Sequence, residues 1–328
     1  MKFVLAPLAE FTDAPFRRMC REGGADLTHT EMVSAAALAH GSSPTLHLME
    51  TMPGEGPVVC QLFGATESDL AFAAERAGAL RDRQDPSRPR FAGLDLNAGC
   101  PMTKVTRAGA GAKLVESPER IHRLLKAMTG ATDLPVTLKT RLGPHPQDVR
   151  IFEIVDAAES AGAKGITVHA RFTSQMHGGP VRLDLLAETV RRASVPVTGN
   201  GSVTSAKTAL EMARTGVAAI MIGRAAMAHP DVFARLREAF GGPAAPVESS
   251  DAVVRRHLAY LLAFRERLAA WYPDDHVPSE DAFASVKMHT HLFRYFNGRP
   301  GAAELRRRLN TVRTLAEIRE IIEREGRS

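Results

Sequence analysis

Apolar residues along the chain form short runs that alternate with longer segments of mixed polar and apolar residues. Eight such runs precede residue 230, and each is short enough to be a single buried β-strand. Successive runs begin 24 to 43 residues apart, which is room for one strand, one helix and the loops that join them. The predicted strands are Phe3–Glu10, Leu27–Ser34, Val58–Gly64, Gly93–Gly99, Val136–Gly143, Gly165–Arg171, Val195–Gly201 and Ala219–Arg224.

The segments between these runs carry the pattern of helices. Apolar residues recur at intervals of three and four in Asp69–Leu80, Arg120–Met128 and Ile151–Ala161, which places them on one helix face. Ser117 followed by Pro118 is a typical helix start, because Ser caps free backbone N–H groups and Pro suits the first turn. Eight strand–helix units predict an α/β fold, a (β/α)₈ TIM barrel, rather than a doubly wound sheet.

The pattern changes after the eighth unit. Residues 241–250 read GGPAAPVESS, which is too rich in Gly and Pro to continue a helix or a strand. Beyond it, apolar stripes at helical spacing begin at Val253, Phe283, Leu305 and Ile318 and predict a small helical bundle. The predicted organisation is a catalytic barrel at 1–240, a linker at 241–250 and a helical domain at 251–328.

Charge is concentrated in that helical domain. The 328 residues include 42 Lys or Arg and 37 Asp or Glu, a net charge of +5. The segment Ser285–Arg313 has seven basic residues and one acid, Glu304, so its net charge is +6 and the rest of the chain sums to −1. Such a segment is either a solvated helix face or a surface that contacts nucleic-acid phosphates. Its basic residues are Lys287, Arg294, Arg299, Arg306, Arg307, Arg308 and Arg313.

The cysteines indicate a reducing compartment. Cys20, Cys60 and Cys100 are too few and too scattered for a disulfide framework, and no apolar run approaches the roughly 18 residues of a membrane span. We therefore expect a cytoplasmic protein with no membrane contact. Cys20 and Cys60 are expected to fill the core, whereas Cys100 lies between Gly99 and Pro101 just after a strand, where a thiol can react.

Polar residues stand at nearly every predicted strand end, where a TIM barrel builds its active site. Lys139 and Arg141, and likewise His169 and Arg171, are two residues apart, so each pair projects from one side of its strand. These groups imply an anionic or electron-rich ligand. The last two strands end in glycine-flanked turns, Gly199-Asn200-Gly201 and Gly223-Arg224, which predict a phosphate site of a kind that sugar-phosphate isomerases also have.

These motifs together resemble the tRNA-dihydrouridine synthases, in order from the first strand to the eighth, and the helical tail resembles that family's tRNA-binding domain. The segment around Cys100, followed by Gly109-Ala110-Gly111-Ala112, is the most specific part. The other motifs are Leu5-Ala6-Pro7-Leu8-Ala9, Gln61-Leu62-Phe63-Gly64, Leu96-Asn97-Ala98-Gly99-Cys100-Pro101, Lys139-Thr140-Arg141-Leu142-Gly143, His169-Ala170-Arg171, Gly199-Asn200-Gly201 and Ile222-Gly223-Arg224.

The resemblance implies an enzyme that uses FMN, re-reduced by NADPH or NADH, to reduce the C5=C6 bond of uridines in tRNA. It implies Cys100 as the general acid and Asn97 as a uracil contact. The implied flavin contacts are Pro7, Leu8 and Ala9 under the ring, Gln61, Lys139 and His169 at its polar edge, and Asn200, Gly201, Ser202, Gly223 and Arg224 at the phosphate. The other implied substrate contacts are Arg141, Arg171, His177, Lys287, Arg294, Arg306, Arg307 and Arg308.

Two residues depart from the family pattern. Ser202 stands where the family usually has Asp, and His177 where it often has a tyrosine near the substrate. Two other functions remain open: a flavin oxidoreductase of free pyrimidines, or an RNA-binding barrel without catalysis. The basic tail disfavours the first and Cys100 the second. The long segment Met102–Ser117 is either a lid over the base or a static basic loop. We expect a monomer without a bound metal.

Overall fold

A computed structural model describes residues 1–244, 248–275, 277–296 and 302–326. Within these ranges, all strands belong to one parallel sheet, and helices follow most of them. The strands are β1 (Lys2–Leu5), β2 (Thr28–His29), β3 (Val33–Ser34), β4 (Val58–Phe63), β5 (Gly93–Ala98), β6 (Val136–Arg141), β7 (Ile166–His169), β8 (Val197–Asn200) and β9 (Ala219–Ile222).

The sheet closes on itself, which confirms the TIM barrel. Its order is β1-β9-β8-β7-β6-β5-β4-β2, and β3 pairs with the end of β4. A parallel bridge between Val4 and Leu27, with the Leu5 N–H donating to the Leu27 carbonyl at 2.9 Å, joins β1 to the start of β2. The polar strand ends predicted from the sequence therefore meet at one mouth.

The second predicted strand is the one that the structure divides, whereas the first, Phe3–Glu10, is shorter than predicted because β1 ends at Leu5. Leu27–Ser34 is divided into β2 and β3, because residues 30–32 leave the sheet. The Thr30 hydroxyl accepts a hydrogen bond from the backbone N–H of Gln61 at 3.0 Å and donates to the Glu31 carbonyl at 2.7 Å. The Thr30 N–H still donates to the Val59 carbonyl of β4 at 3.0 Å, but the Thr30 hydroxyl takes the place of a backbone carbonyl as the acceptor for the Gln61 N–H.

Helices surround the sheet, and a group of four follows it. Ser117 caps the helix that starts at Pro118, as predicted, by accepting from the Arg120 N–H at 3.4 Å. The helices around the barrel are α1 (Ala14–Glu22), α2 (Ala35–Ala39), α3 (Ser43–His47), α4 (Glu67–Ala79), α5 (Thr103–Arg107), α6 (Pro118–Gly130), α7 (Ile151–Ser160), α8 (Leu183–Arg192), α9 (Ala206–Ala213), α10 (Arg224–Ala228) and α11 (Val232–Glu238), with short 3₁₀ helices at Gly111–Glu116 and Thr173–Gln175. The four helices that follow are α12 (Ser250–Trp271), α13 (Glu280–Tyr295), α14 (Ala302–Thr311) and α15 (Leu315–Gly326).

The four C-terminal helices share an apolar core with the barrel. Ala14 and Met19 of α1, together with Met52, pack into the same buried cluster as Val254 and Leu292 of α12 and α13. Because α1 follows the end of β1, this packing holds the helical region beside the mouth of the barrel. Among the described residues, none of the helices combines the length and the apolar character that a membrane span requires.

A buried carboxylate strengthens the same junction further along α12. Glu50 is 1% exposed and accepts hydrogen bonds from Arg83 at 2.6 Å, from Arg90 at 3.0 Å and from the Tyr272 hydroxyl at 2.5 Å. The Arg83 guanidinium also stacks over the ring of Trp271, 4.5 Å from its centroid. Residues of the barrel side therefore hold the C-terminal end of α12 through charge as well as apolar packing.

Candidate active site

A cavity of about 270 Å³ opens where the strands of the barrel end. Four cationic side chains line it, Lys139, Arg141, Arg171 and Arg224, and no Asp or Glu is among the described residues that do so. Cations brought together without acids repel one another, so such a cavity favours an anionic ligand. Its predicted lining residues are Pro7, Leu8, Ala9, Asn97, Cys100, Lys139, Arg141, His169, Arg171, His177, Asn200, Gly201, Ser202, Gly223 and Arg224.

Lys139 lies deep in the cavity, on β6. Its Nζ is 3.4 Å from Oδ1 of Asn200 on β8, and Asn200 Nδ2 donates to the Met221 carbonyl at 2.8 Å. Burial, with a further contribution from the charge of Arg141, lowers the pKa of Lys139 to about 8. Lys139 is therefore protonated at neutral pH and loses its positive charge as the pH rises through about 8.

His169, at the end of β7, is a neutral group. Burial lowers its pKa far below the ordinary value, and the charges of Lys139, Arg141 and Arg171 lower it further. Nη1 of Arg171 lies 3.3 Å from Nε2 of His169, so Nε2 accepts and the proton is assigned to Nδ1. The ring of His177 stacks on that of His169 with 6.4 Å between centroids.

The turn after β8 has a backbone conformation suited to binding an anion. Gly201 has φ +126°, and a Cβ there would lie 2.9 Å from Cγ1 of Val181, so the position requires glycine. Ser202 follows with φ +56°. Arg171 Nη2 donates to Ser202 Oγ at 2.5 Å, and Arg224 Nη2 donates to the His177 carbonyl at 3.3 Å. Two guanidinium groups therefore flank this turn.

A buried chain of hydrogen bonds positions the turn that carries Cys100. Asn97 Oδ1 accepts from the backbone N–H groups of Gly99 at 3.1 Å and Cys100 at 3.0 Å. Asn97 Nδ2 donates to Gln61 Oε1 at 2.8 Å, and Gln61 Nε2 donates to Asp95 Oδ2 at 2.7 Å. The orientation of Asn97 is thereby fixed from within the barrel.

Gln61 is the one predicted flavin contact that does not line the cavity. It is fully buried, and both of its amide heavy atoms are engaged by Asp95 and Asn97. Asp95 itself was not predicted, although a carboxylate within the apolar strand Gly93–Ala98 was a signal for a buried polar network. Asp95 Oδ1 accepts from the Thr137 hydroxyl at 2.6 Å and so anchors the chain of hydrogen bonds.

Arg141 supports the Cys100 turn from the other side. Its Nε donates to the Gly99 carbonyl at 2.7 Å, and its Nη1 donates to the Met176 carbonyl at 2.8 Å. The Cys100 carbonyl in turn accepts from the Ala112 N–H at 2.9 Å. The Cys100 side chain is partly buried and within electrostatic range of Lys139 and Arg141. Cys20 and Cys60 are fully buried in the core, as predicted.

The predicted tRNA contacts lie on α13 and α14, outside the cavity lining. Lys287 reaches the barrel, with Nζ 3.9 Å from Asp13 Oδ2. Arg307 forms an ion pair with Glu304, and Arg308 with Glu320 at 3.2 Å. The other two predicted contacts are Arg294, which is exposed, and Arg306, which lies over the ring of Phe293. Arg299 lies outside the described residues.

Known proteins resemble this chain over nearly its whole length. The dihydrouridine synthase (Dus) family profile matches residues 4–325. A probable tRNA-dihydrouridine synthase of Rhodobacter capsulatus is 33% identical over 331 residues, covering 98% of this chain and 95% of that protein. tRNA-dihydrouridine synthase B of Escherichia coli is 30% identical over 293 residues, covering 85% and 88%.

A solved structure shares the fold. A morphinone reductase variant in complex with tetrahydroNAD superposes with a TM-score of 0.53 at 10% identity, covering 76% of this chain and 89% of that one. At 10% identity the likeness shows the fold alone. The profile match and the full-length relatives carry the assignment: this chain belongs to the dihydrouridine synthase family.

Proposed function

We propose that the protein is a tRNA-dihydrouridine synthase that binds FMN in the cavity at the barrel mouth and takes electrons from NADPH or NADH. The names of its full-length relatives support the reaction. The observation that carries the proposal is the cavity itself, which is lined by four cations and by no acid of the described chain. A flavin phosphate and a polynucleotide substrate both bring negative charge to such a site.

The residues of the cavity fit FMN. The Gly201–Ser202 turn, with the guanidinium groups of Arg171 and Arg224 beside it, would hold the phosphate through charge-assisted hydrogen bonds. Lys139 and Asn200 would bond the polar edge of the ring, and the backbone of Pro7–Ala9 would lie along its face. We therefore assign Arg171 to the phosphate end of the cofactor and Gln61 to the positioning of Asn97.

When bound at this site, reduced FMN would supply a hydride to C6 of the uracil. The protein must then deliver a proton to C5, and the Cys100 thiol is the group that the chain holds at the cavity wall for this step. The S–H bond breaks as the C5–H bond forms, which leaves a thiolate that regains its proton from solvent. The backbone hydrogen bonds from Asn97 to the Cys100 turn keep the donor in place.

Lys139 and Arg141 lower the energy of the charge that this step creates. Both lie within electrostatic range of the Cys100 sulfur, so they stabilise the thiolate that remains after proton transfer. Arg141 is 1% exposed and is fixed by backbone carbonyls, so its charge is already in position before the substrate arrives. Preorganised charge of this kind costs no rearrangement during the reaction.

The helical region is the proposed tRNA platform. Lys287 lies beside the barrel mouth, and Arg306 is exposed without an ion pair among the described residues. Arg307 and Glu304 are both exposed, so solvent weakens their ion pair and the arginine can exchange its carboxylate partner for a phosphate. A surface that extends from α13 and α14 to the cavity would orient the tRNA over the flavin.

The decisive experiment replaces the proposed acid. Cys100→Ala is expected to retain bound FMN and its reduction by NADPH, while dihydrouridine formation in tRNA falls about 100-fold or more because a general acid is lost. The matched control is Cys60→Ala, which removes a thiol that is buried away from the cavity. Dihydrouridine is quantified by mass spectrometry of nuclease-digested tRNA.

Three outcomes would contradict the proposal. Unchanged dihydrouridine formation in Cys100→Ala would remove this cysteine from the mechanism. A purified protein that is colourless and cannot be reconstituted with FMN would refute the cofactor. A protein that reduces free uracil or oxidises dihydroorotate, and does not act on tRNA, would instead be an oxidoreductase of free pyrimidines.

A further inference from the structure

Three potential metal ligands from distant parts of the chain meet where the barrel joins the helical region. They are Asp13, at the start of α1, His257 of α12 and His291 of α13. One ligand atom from each lies within 4.8 Å of the other two. The residues are 8%, 0% and 1% exposed. A buried group of this kind differs from the solvated acidic clusters that are common on protein surfaces.

The ring nitrogens of this cluster lack partners. Nε2 of His257 and both Nδ1 and Nε2 of His291 are buried without a hydrogen bond to any described residue. A buried polar group left unpaired costs about 1 to 3 kcal/mol, so three such atoms at one place are expensive unless something binds them. One bound cation satisfies two imidazoles and the carboxylate at once.

The surrounding contacts leave the correct atoms free for a metal. The Tyr295 hydroxyl lies 2.9 Å from Nδ1 of His257, which fixes that ring and leaves Nε2 as its unpaired nitrogen. Asp13 Oδ1 accepts from the Phe16 N–H at 3.1 Å, which leaves Oδ2 available. The ring of Phe16 lies 5.0 Å from that of His291 and covers it with apolar surface.

We propose that Asp13, His257 and His291 form a binding site for one divalent transition-metal ion, with Zn²⁺ as the probe, that joins the barrel to the helical region. Two imidazoles and a carboxylate are a donor set that Zn²⁺ and Fe²⁺ both accept. Metal–ligand bonds of about 2.0 to 2.2 Å require the ligand atoms to lie closer than their present limit of 4.8 Å, so the side chains move inward on binding. A water completes the coordination.

Two neighbouring charges accommodate the ion. Lys287 Nζ is 3.9 Å from Asp13 Oδ2, and because this lysine is 31% exposed its ammonium can turn towards solvent when a cation binds. Glu31 is buried within electrostatic range of Asp13 and Lys287, and its Oε1 has no hydrogen-bond partner among the described residues. Its carboxylate adds negative charge near the ion.

The ion would connect the barrel mouth, where we place the reaction, to the helices that we propose contact tRNA. Asp13 follows the β1 loop that lines the cavity, whereas His257 and His291 belong to the helices that carry or support the basic surface. A bond to all three would fix the angle between the barrel mouth and that surface. The site does not depend on the proposed reaction, because its ligands are outside the cavity lining.

The test measures metal in the protein itself. Full-length protein, purified without a histidine tag, is expected to contain about one divalent metal per chain by mass spectrometry of the elements, or to take up one Zn²⁺ after chelation. Zn²⁺ should raise the Tm of the chelated protein, and Co²⁺ should give visible absorption bands. His291→Phe, which keeps an aromatic ring in the cluster, should lose all three responses. His289→Phe, on the same helix and packed on Phe293, should keep them.

Asp13→Asn is the second variant in case His291→Phe does not fold, because asparagine also caps a helix and α1 is retained. It should weaken Zn²⁺ binding at least 10-fold. Wild-type protein that contains no metal, takes up no Zn²⁺ and melts at the same temperature with Zn²⁺ or chelator would overturn the proposal and leave a buried water as the occupant. Equal metal binding by wild type, His291→Phe and Asp13→Asn would overturn it as well.

Discussion

Gly111 offers a direct test of whether the position of Cys100 limits the reaction. In Gly111→Ala the new Cβ would lie 2.6 Å from the Cys100 carbonyl oxygen and 2.7 Å from Cγ1 of Val105. Contacts this short do not occur, so the Cys100 turn must shift. The 3₁₀ helix that begins at Gly111 would then move away from the turn and weaken the hydrogen bond from the Ala112 N–H to the Cys100 carbonyl.

The magnitude follows from three contributions. Gly111 has φ +59°, and alanine in that left-handed region costs about 1 kcal/mol. Overpacking costs about 1 to 3 kcal/mol, and the weakened hydrogen bond about 1 kcal/mol. Gly41→Ala is the matched control, because Gly41 has φ +71° but nothing lies within 4 Å of its Cβ position. We expect Gly111→Ala to be less stable than Gly41→Ala by about 2 to 4 kcal/mol.

Gly111→Ala should slow the reduction of uridine more than the reduction of the flavin. A shift of about 1 Å in Cys100 should reduce dihydrouridine formation about 10- to 100-fold. Reduction of the flavin by NADPH should change little, because Lys139, Asn200 and Arg224 are not displaced. Urea unfolding measures the stability, and stopped-flow absorbance separates the two half-reactions. Equal stability and equal uridine reduction in Gly111→Ala and Gly41→Ala would refute the reasoning.

The remaining predictions concern the lysine of the cavity and the arginines of α14. Since the pKa of Lys139 is about 8, its charge is present below that pH and lost above it; FMN affinity for the flavin-free protein should therefore fall as pH rises through 8, by at most about tenfold per pH unit. Lys139→Met should bind FMN about 10- to 100-fold more weakly at pH 7 and show no break near pH 8. Replacing Arg306, Arg307 and Arg308 by alanine should weaken tRNA binding and reduce its salt dependence by about 0.7 to 0.9 units for each phosphate that the variant no longer neutralises.

Each of these predictions can be contradicted by a defined result. For Lys139, with a pKa of about 8, the affinity for FMN is measured by fluorescence titration across about pH 6.5 to 9.5. A wild-type affinity that does not change over this pH range would show that the charge of Lys139 does not contribute to FMN binding. For the α14 arginines, the control removes the same charge from exposed positions on α6 and α8, at Arg123, Arg191 and Arg192. If both triple variants show the same reduction in salt dependence, the basic tail is an ordinary solvated face.

The sequence predicted the barrel well because its strands are buried on both faces. Such strands appear as apolar runs, and polar residues near the end of a run indicate the barrel mouth: Asn200 is the last residue of β8, and Lys139 lies two residues before the end of β6. The break in Leu27–Ser34 could not be predicted in this way, because it depends on the Thr30 hydroxyl meeting the Gln61 N–H of another strand. The periodicity of apolar residues indicates which positions are buried. It does not indicate where a side chain takes over a hydrogen bond between two strands.

The sequence predicted which side chains come together at the barrel mouth, Gln61 excepted, but not the hydrogen bonds that connect them. Strand ends place Cys100, Lys139 and His169 at one mouth without any knowledge of distances. The amide of Gln61 points into the barrel network instead of the cavity, because the buried carboxylate of Asp95 takes its Nε2. The grouping of Asp13 with His291 depends on how α13 docks on α1, and no local pattern in the sequence encodes that docking.

The apolar core that α1 shares with α12 and α13 has a consequence for how the protein denatures. Met19, Met52 and Leu292 lie in one cluster, so neither part can lose its structure without exposing the apolar surface of the other. Thermal and chemical unfolding should therefore occur as a single cooperative transition, although the chain has the outline of two domains. A chain ending near residue 240 would expose the barrel side of this cluster, Ala14, Met19 and Met52, and we expect it to aggregate.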